Sequence, residues 1–227
     1  MSHRKRSLAA YPYFLNNGIM KMTVHNLYSG SWLSNCYALI SRGSDGVAHA
    51  AVIDPSTPTE KICEFLDVQG AVLDMIILTH GHFDHMMSLD SLRAHTGAPT
   101  HIHEDDADML GDSEKNAYSF FFPNKLEMKS ADNTLQDGDI LMLGGEELKV
   151  IHLPGHTKGS IGLMGDGFIL TGDTLFDRGI GRSDLYGGDM TQLYSSLRRL
   201  GELDPTLTIY PGHGKSAILG RTLETVI

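Results

Sequence analysis

Thr79-His80-Gly81-His82-Phe83-Asp84-His85 follows directly on the apolar run Val72–Leu78. Three imidazoles and a carboxylate inside six residues are costly to bury unless something shares their lone pairs. Neutral imidazole and carboxylate are the donors that hold zinc and similar cations. His80 and His82 are two apart, so an extended backbone turns both to the same side. Asp84 and His85 follow where a helix is expected to start, and can face a second position beside the first. The segment therefore predicts a metal centre at a strand end, with room for two adjacent cations.

Further donors stand in later loops, each beside a glycine that lets the backbone turn tightly. His156 follows Leu153-Pro154-Gly155, Asp173 follows Leu170-Thr171-Gly172, and His213 follows Pro211-Gly212. A carboxylate has two oxygens, so Asp173 is suited to bridging two cations. The other histidines, His3, His25, His49, His95, His101, His103 and His152, are expected to be core or surface residues.

The 227 residues carry a net charge of -10 and are 41% hydrophobic. So acidic a chain gains nothing from releasing the counterions of a phosphate backbone, and no nucleic-acid partner is expected. No apolar run approaches the roughly 20 residues of a membrane span. The stretch behind the basic start His3-Arg4-Lys5-Arg6 is broken by Pro12, Asn16, Asn17 and Gly18 and lacks a signal-peptide core. Cys36 and Cys63 have no CxxC partner and read as reduced thiols, which places the chain in the cytoplasm. Residues 1–21 are expected to be a disordered N-terminal extension, and residues 22–227 a single domain.

Pattern predicts a hairpin of Asn35–Ser41 and Ala48–Asp54, turning at Gly43, Asp45 and Gly46. A helix is expected over Thr59–Val68, capped by Thr57 and stopped by Gly70. A second helix is expected over Asp84–His95, beginning inside the histidine cluster. A strand Pro99–His103 leads into a short acidic helix, Glu104–Leu110. Residues 112–130, with Tyr118, Phe120, Phe121, Phe122 and Pro123, read as a loop pinned by aromatics or as a wall over a substrate groove. Strands Ile140–Leu143, Leu148–Leu153, Ile161–Met164, Phe168–Leu170 and Leu207–Tyr210 follow, with a helix Met190–Leu200 capped by Asp189. Strands clustered in each half, each half closing with helices, suggest a two-sheet core with helices outside.

The segment His80-Gly81-His82-Phe83-Asp84-His85 resembles the HxHxDH motif of the metallo-β-lactamase superfamily, and the likeness runs from about Met22 to Arg221. It implies an α/β (α+β) chain folded as a four-layer αββα sandwich. It implies a first cation on His80, His82 and His156, a second on Asp84, His85 and His213, and Asp173 bridging. Asp54, in Val52-Ile53-Asp54-Pro55, matches a position that orients a ligand imidazole from behind. Zinc is the expected metal, with iron or manganese as alternatives.

Gly172-Asp173-Thr174-Leu175-Phe176 and Gly179-Ile180-Gly181-Arg182-Ser183-Asp184 resemble the glyoxalase II group, especially its short bacterial members. That resemblance implies hydrolysis of a small-molecule thioester such as an S-2-hydroxyacylglutathione, with Asp84 and Asp173 catalytic. Arg182 aligns with a basic residue that contacts glutathione, and Arg178 and Lys158 are further candidates. The pattern departs at Asp184, where the group has Tyr, and at Gly214-Lys215 after His213. The alternatives are a persulfide dioxygenase with one iron on His80, His156 and Asp173, another lactone or ester hydrolase, and a non-enzymatic metal scaffold. Assembly is left open between monomer and dimer.

Overall fold

A computed structural model describes residues 22–28, 33–44 and 46–226. The expected N-terminal extension and the Asp45 turn position lie outside the described residues.

Alternation along the strands decides where the layers lie. In β2 (Cys36–Arg42), Tyr37 and Leu39 face one core while Cys36 and Ile40 face another. In β3 (Ala48–Ile53), Ala51 and Ile53 join the first core, and Ala48, Ala50 and Val52 the second. A strand buried on both faces must have a layer on each side. Both are present. The inner core is closed by Leu148, Val150, Ile161, Leu163, Phe168 and Leu170 from the second half of the chain. The outer core of the first sheet is closed by Ile62 and Leu66 of α1 (Thr59–Gln69) and by Leu89 and Leu92 of α2 (Leu89–Thr96). On the far side, Ile151, Leu153, Ile169 and Ile209 pack beneath α3 (Met190–Leu200) and α4 (Leu219–Leu223). The result is a four-layer αββα sandwich.

The first sheet adds β1 (Thr23–Tyr28), β4 (Ala71–Ile77), β5 (Thr100–His103) and β6 (Asn133–Leu135), in the order β1-β2-β3-β4-β5-β6. The second holds β7 (Ile140–Leu143), β8 (Glu146–His152), β9 (Ile161–Gly165), β10 (Phe168–Gly172), β13 (Thr208–Pro211) and β14 (Ala217–Ile218), in the order β14-β13-β10-β9-β8-β7. A small hairpin of β11 (Leu175–Phe176) and β12 (Gly179–Ile180) stands apart.

Strand direction brings the donor loops together. β3 and β4 are parallel, so Asp54 and the Thr79–His85 segment leave the first sheet at one edge. β10 and β13 are parallel, and β8 runs with them because β9 is antiparallel to both β8 and β10. His156, Asp173 and His213 therefore leave the second sheet at one edge. Cross-bonds join the two edges: Ile161 N donates to Thr79 O (2.9 Å), and Tyr37 Oη and Asn35 Nδ2 donate to Pro211 O (2.8 and 2.9 Å).

Two predicted helices differ from the structure. In place of Asp84–His95 there is a short 3-10 turn, Phe83–His85, and α2 begins only at Leu89. Phe83 must enter the core while Asp84 and His85 face the cluster, and its N–H is held by Asn116 O (3.0 Å). A regular helix through this point would lose that arrangement. The predicted helix Glu104–Leu110 is a 3-10 helix, Glu104–Met109, whose Asp106 is drawn inward to bond two loops. The cap of α1 also differs: Pro58 occupies the position expected of Thr57. The predicted stop at Gly70 is present in left-handed conformation, and Asp189 caps α3 by accepting from Thr191 N and Gln192 N.

Tyr37→Phe removes one of the cross-bonds to Pro211 O and leaves Asn35 in place. It is expected to lower unfolding stability by about 1 kcal/mol, read by urea denaturation. An unchanged midpoint would show that this bond adds nothing at the joined edge.

Candidate metal centre

Three imidazole nitrogens meet where the two sheet edges join. His82 Nδ1 lies 3.0 Å from His80 Nε2 and 2.9 Å from His156 Nε2, and the last two are 3.2 Å apart. The protons of His80 and His156 are committed elsewhere, while His82 Nε2 is buried without a partner. His156 Nδ1 donates to the backbone oxygen of Arg182 (2.7 Å), which can only accept. Thr79 Oγ1 donates to Asp54 Oδ2, so it accepts from His80 Nδ1 (3.2 Å). His80 and His156 thus turn bare lone pairs toward each other. That is repulsive unless a cation sits between them. Zinc–nitrogen bonds of about 2.0–2.1 Å in a tetrahedral site place neighbouring nitrogens about 3.3 Å apart, close to the spacing here. The donor set fits a metal ion.

Burial, reinforced by the surrounding imidazoles, holds His80 well below the ordinary imidazole pKa. Burial and then His156 lower His82 to about 3. Both are therefore neutral imidazoles at neutral pH, each with one ring proton and one free lone pair, and neither must shed a second proton to bind a cation.

A second group adjoins the first. His213 Nε2 lies 3.2 Å from Asp84 Oδ2, and His85 Nε2 lies 3.8 Å from the same oxygen. Asp173 stands between the groups: Oδ1 is 3.4 Å from His85 Nε2, while Oδ2 is 3.6 Å from His156 Nε2 and 3.5 Å from His213 Nε2. Buried His85 Nε2 and Asp173 Oδ1 have no hydrogen-bond partner. Burial opposes charge on His85, but Asp54, Asp173 and Asp84 outweigh it and hold this imidazole well above its usual pKa. Burial would likewise raise Asp173, yet His85, His156 and His213 hold it well below the usual carboxylate range. The pocket demands positive charge. The seven residues His80, His82, Asp84, His85, His156, Asp173 and His213 fall into groupings that could hold two ions.

The close approach depends on glycine. A Cβ on Gly212 would run into Asp173 Oδ1 and His85 Cε1, and one on Gly81 would lie 2.6 Å from Met109 Cβ. Asp54, itself in left-handed conformation (φ 52°), accepts from Thr79 N (2.8 Å), Thr79 Oγ1 (2.7 Å) and His85 Nδ1 (2.9 Å). It orients His85 from behind and holds the Thr79 end of the same segment.

Sequence reasoning passed over two parts of the site. Arg182 was expected to act through its side chain, but its backbone oxygen holds His156. Its guanidinium pairs with Asp184 through two bonds (2.6 and 2.8 Å) and is 54% exposed. Asp106 was hidden in an acidic run whose charges suggest a solvated helix. It is fully buried and accepts from Gly81 N, Thr157 Oγ1 and Gly159 N. The only sequence signal was its place inside a segment flanked by apolar Ile102 and Met109.

One more group of donors, His103, Asp105 and His152, lies apart. The two rings are stacked face to face, 4.1 Å between centroids at 12°. In-plane lone pairs of parallel rings run side by side rather than converging, so this pair packs and does not chelate. Residues 112–130 are pinned by aromatics, the first of the two roles weighed for them. Tyr118 and Phe122 stack on each other and pack with Phe83, while Phe120 and Phe121 are exposed beside the motif, Phe121 lying 5.5 Å from the Phe83 ring.

The family model of the metallo-β-lactamase superfamily matches residues 30–213. The chain is similar to the hydroxyacylglutathione hydrolase GloC of Haemophilus influenzae, at 35% identity over 78% of this chain and 85% of that protein. Among solved structures it resembles the B3 metallo-β-lactamase BLEG-1, with a TM-score of 0.80 and 29% identity over 89% of this chain and 97% of the other. It also resembles TTHA1623 in a di-iron-bound form, with a TM-score of 0.75 and 29% identity over 88% and 98% of the two chains.

Acidification should separate the two groups. A proton competes for His85 at higher pH than for His80 or His82, so the cation beside His85 should leave first. Through the acid range, below the raised His85 pKa, its apparent affinity should fall about tenfold per pH unit for one displaced proton, while the other cation holds. Chelator competition across this range reads both. Release of both at one pH would contradict the assignment.

Proposed function

The chain belongs to the metallo-β-lactamase superfamily, and within it we propose that it is a binuclear metal-dependent hydrolase cleaving a thioester of the S-2-hydroxyacylglutathione type. The observation that carries this reading is Asp173, one carboxylate placed between two groups of imidazoles. Similarity to the Haemophilus influenzae hydrolase supports the substrate class. In this reading His80, His82 and His156 hold one ion, Asp84, His85 and His213 hold the other, and Asp173 spans them. Zinc is the first candidate, and iron is supported by the di-iron relative.

Bound cations supply an acidified water and polarise a carbonyl oxygen. The chain's own residues do the rest. Asp173 holds the two groups of imidazoles at one separation and would be shared by the ions they hold. Asp84, whose side chain is 18% exposed against 10% for Asp173, is the more accessible carboxylate and accepts the proton of the attacking water. A thiolate leaves readily, so the reaction requires no strong acid on the leaving-group side.

Arg182 is proposed to bind a substrate carboxylate. An ion pair as exposed as Arg182–Asp184 contributes little, so Arg182 exchanges Asp184 for a ligand readily. A second reading, β-lactam hydrolysis, is favoured by the likeness to BLEG-1 and draws on the same two cations.

Metal analysis with S-lactoylglutathione and a chromogenic β-lactam assayed side by side separates these readings. The thioester is expected to be cleaved faster by a wide margin, and the reverse order would overturn the proposal. Asp173→Ala is expected to lose one ion and at least about 100-fold in kcat; unchanged metal content and rate would remove Asp173 from the bridge. Arg182→Ala should raise KM for the glutathione thioester more than it lowers kcat. Asp184→Asn, by releasing Arg182, should lower KM. Unaltered KM in both variants would take Arg182 out of the substrate site.

A further inference from the structure

Asp106 is a buried carboxylate outside the donor set, and all three of its hydrogen-bond donors are uncharged. It lies on the 3-10 helix Glu104–Met109 and is 0% exposed. Its Oδ2 accepts from Gly81 N (3.0 Å) and from Thr157 Oγ1 (2.6 Å), and its Oδ1 accepts from Gly159 N (2.7 Å). Gly81 stands between His80 and His82, and Thr157 directly follows His156. One side chain thus ties the loop leaving β4 in the first sheet to the loop leaving β8 in the second. These are the two loops that carry the three converging imidazoles.

The packing leaves neither loop free to drift. A Cβ on Gly159 would lie 2.7 Å from Asp106 Cγ, and one on Gly81 would lie 2.6 Å from Met109 Cβ. Both backbones press directly on the short helix. The other buried carboxylate behind the centre serves different partners: Asp54 bonds Thr79 and His85, and His85 belongs to the adjoining group. Asp54 reaches His85 directly and His80 through Thr79 Oγ1, whereas Asp106 bonds only the loops that carry the three converging imidazoles.

We propose that Asp106 is a positioning residue that sets the His80–His82–His156 half of the centre and leaves the Asp84–His85–His213 half to Asp54. This rests on the two-cation reading above. Asp106 touches no reacting group. It acts by fixing how closely the three nitrogens meet, and its negative charge, buried without a counter-ion bonded to it, favours a cation nearby.

The test uses the full chain, stripped of metal and titrated with zinc against a chromophoric chelator, then with cobalt(II) followed by visible absorption. Asp106→Asn keeps one acceptor oxygen and replaces the other with an NH2 group, so one side, facing either Gly159 N or Gly81 N, loses its acceptor, and the negative charge is lost. Groups behind metal ligands are typically worth about 10–100-fold in affinity. One of the two zinc affinities is expected to weaken by that factor, with the other within about twofold, and only the cobalt bands of the weakened site should shift. Thr157→Val removes one donor and keeps the charge, and should weaken the same site by a smaller factor. The metal-free variants should keep the far-ultraviolet circular dichroism of the parent.

Equal loss at both sites, or no change at either, in whichever variant folds, overturns the proposal. A parent chain that takes up no metal overturns the two-cation reading and this inference with it. A parent with two ions and an unaffected Asp106→Asn overturns the inference alone.

Discussion

Bare lone pairs that face one another are the constraint on which the rest of this structure depends. His80, His82 and His156 hold their nitrogens 2.9–3.2 Å apart, and the protons of His80 and His156 point outward. Left to themselves the rings would rotate away or take up water. They do neither because all three are buried and two of them, His80 and His156, are tied from behind. Arg182 O grips His156, Thr79 grips His80, and Asp54 grips His85. A folded domain is stable by only about 5–15 kcal/mol, so such a cluster persists only where the surrounding structure over-determines it.

The sandwich supplies that over-determination through strand direction. β3 and β4 end at one edge of the first sheet, and β8, β10 and β13 end at one edge of the second. Every donor leaves from one of those edges, and the Tyr37 and Asn35 bonds to Pro211 O lock the edges together. Asp54 takes a left-handed conformation that costs an L-residue about 1 kcal/mol, and three accepted hydrogen bonds offset it. The geometry around the donors is therefore a property of two layers, and neither sheet alone contains it.

Around this rigid floor the rim is more exposed. The aromatic loop is anchored through Phe83 and shows Phe120 and Phe121 to solvent. Arg182 sits nearby with its charge held by Asp184. A rigid donor floor with an adaptable rim suits a superfamily in which similar centres sit beneath different substrates.

The donors were legible in the sequence because their chemistry is local. Three histidines and an aspartate crowded beside an apolar strand have lone pairs that a cation satisfies and a dry core does not. The apolar alternation of Cys36–Ile53 and Leu148–Leu170 announced two sheets with helices outside. The stop at Gly70 and the cap at Asp189 were legible for the same reason: each acts on its own neighbours. The helix expected over Asp84–His95 was not, because Phe83, Asp84 and His85 answer to three different parts of the fold, and local pattern cannot weigh them. Asp106 was illegible too. Its neighbours in sequence, Glu104, Asp105 and Asp108, point to water, and only the meeting of two loops from opposite sheets turns it inward. The sequence by itself determined which donor atoms are available and which layers form, since composition and periodicity act over a few residues. Only the tertiary structure decided how closely those atoms meet and which nitrogens carry protons, because both depend on partners tens of residues away.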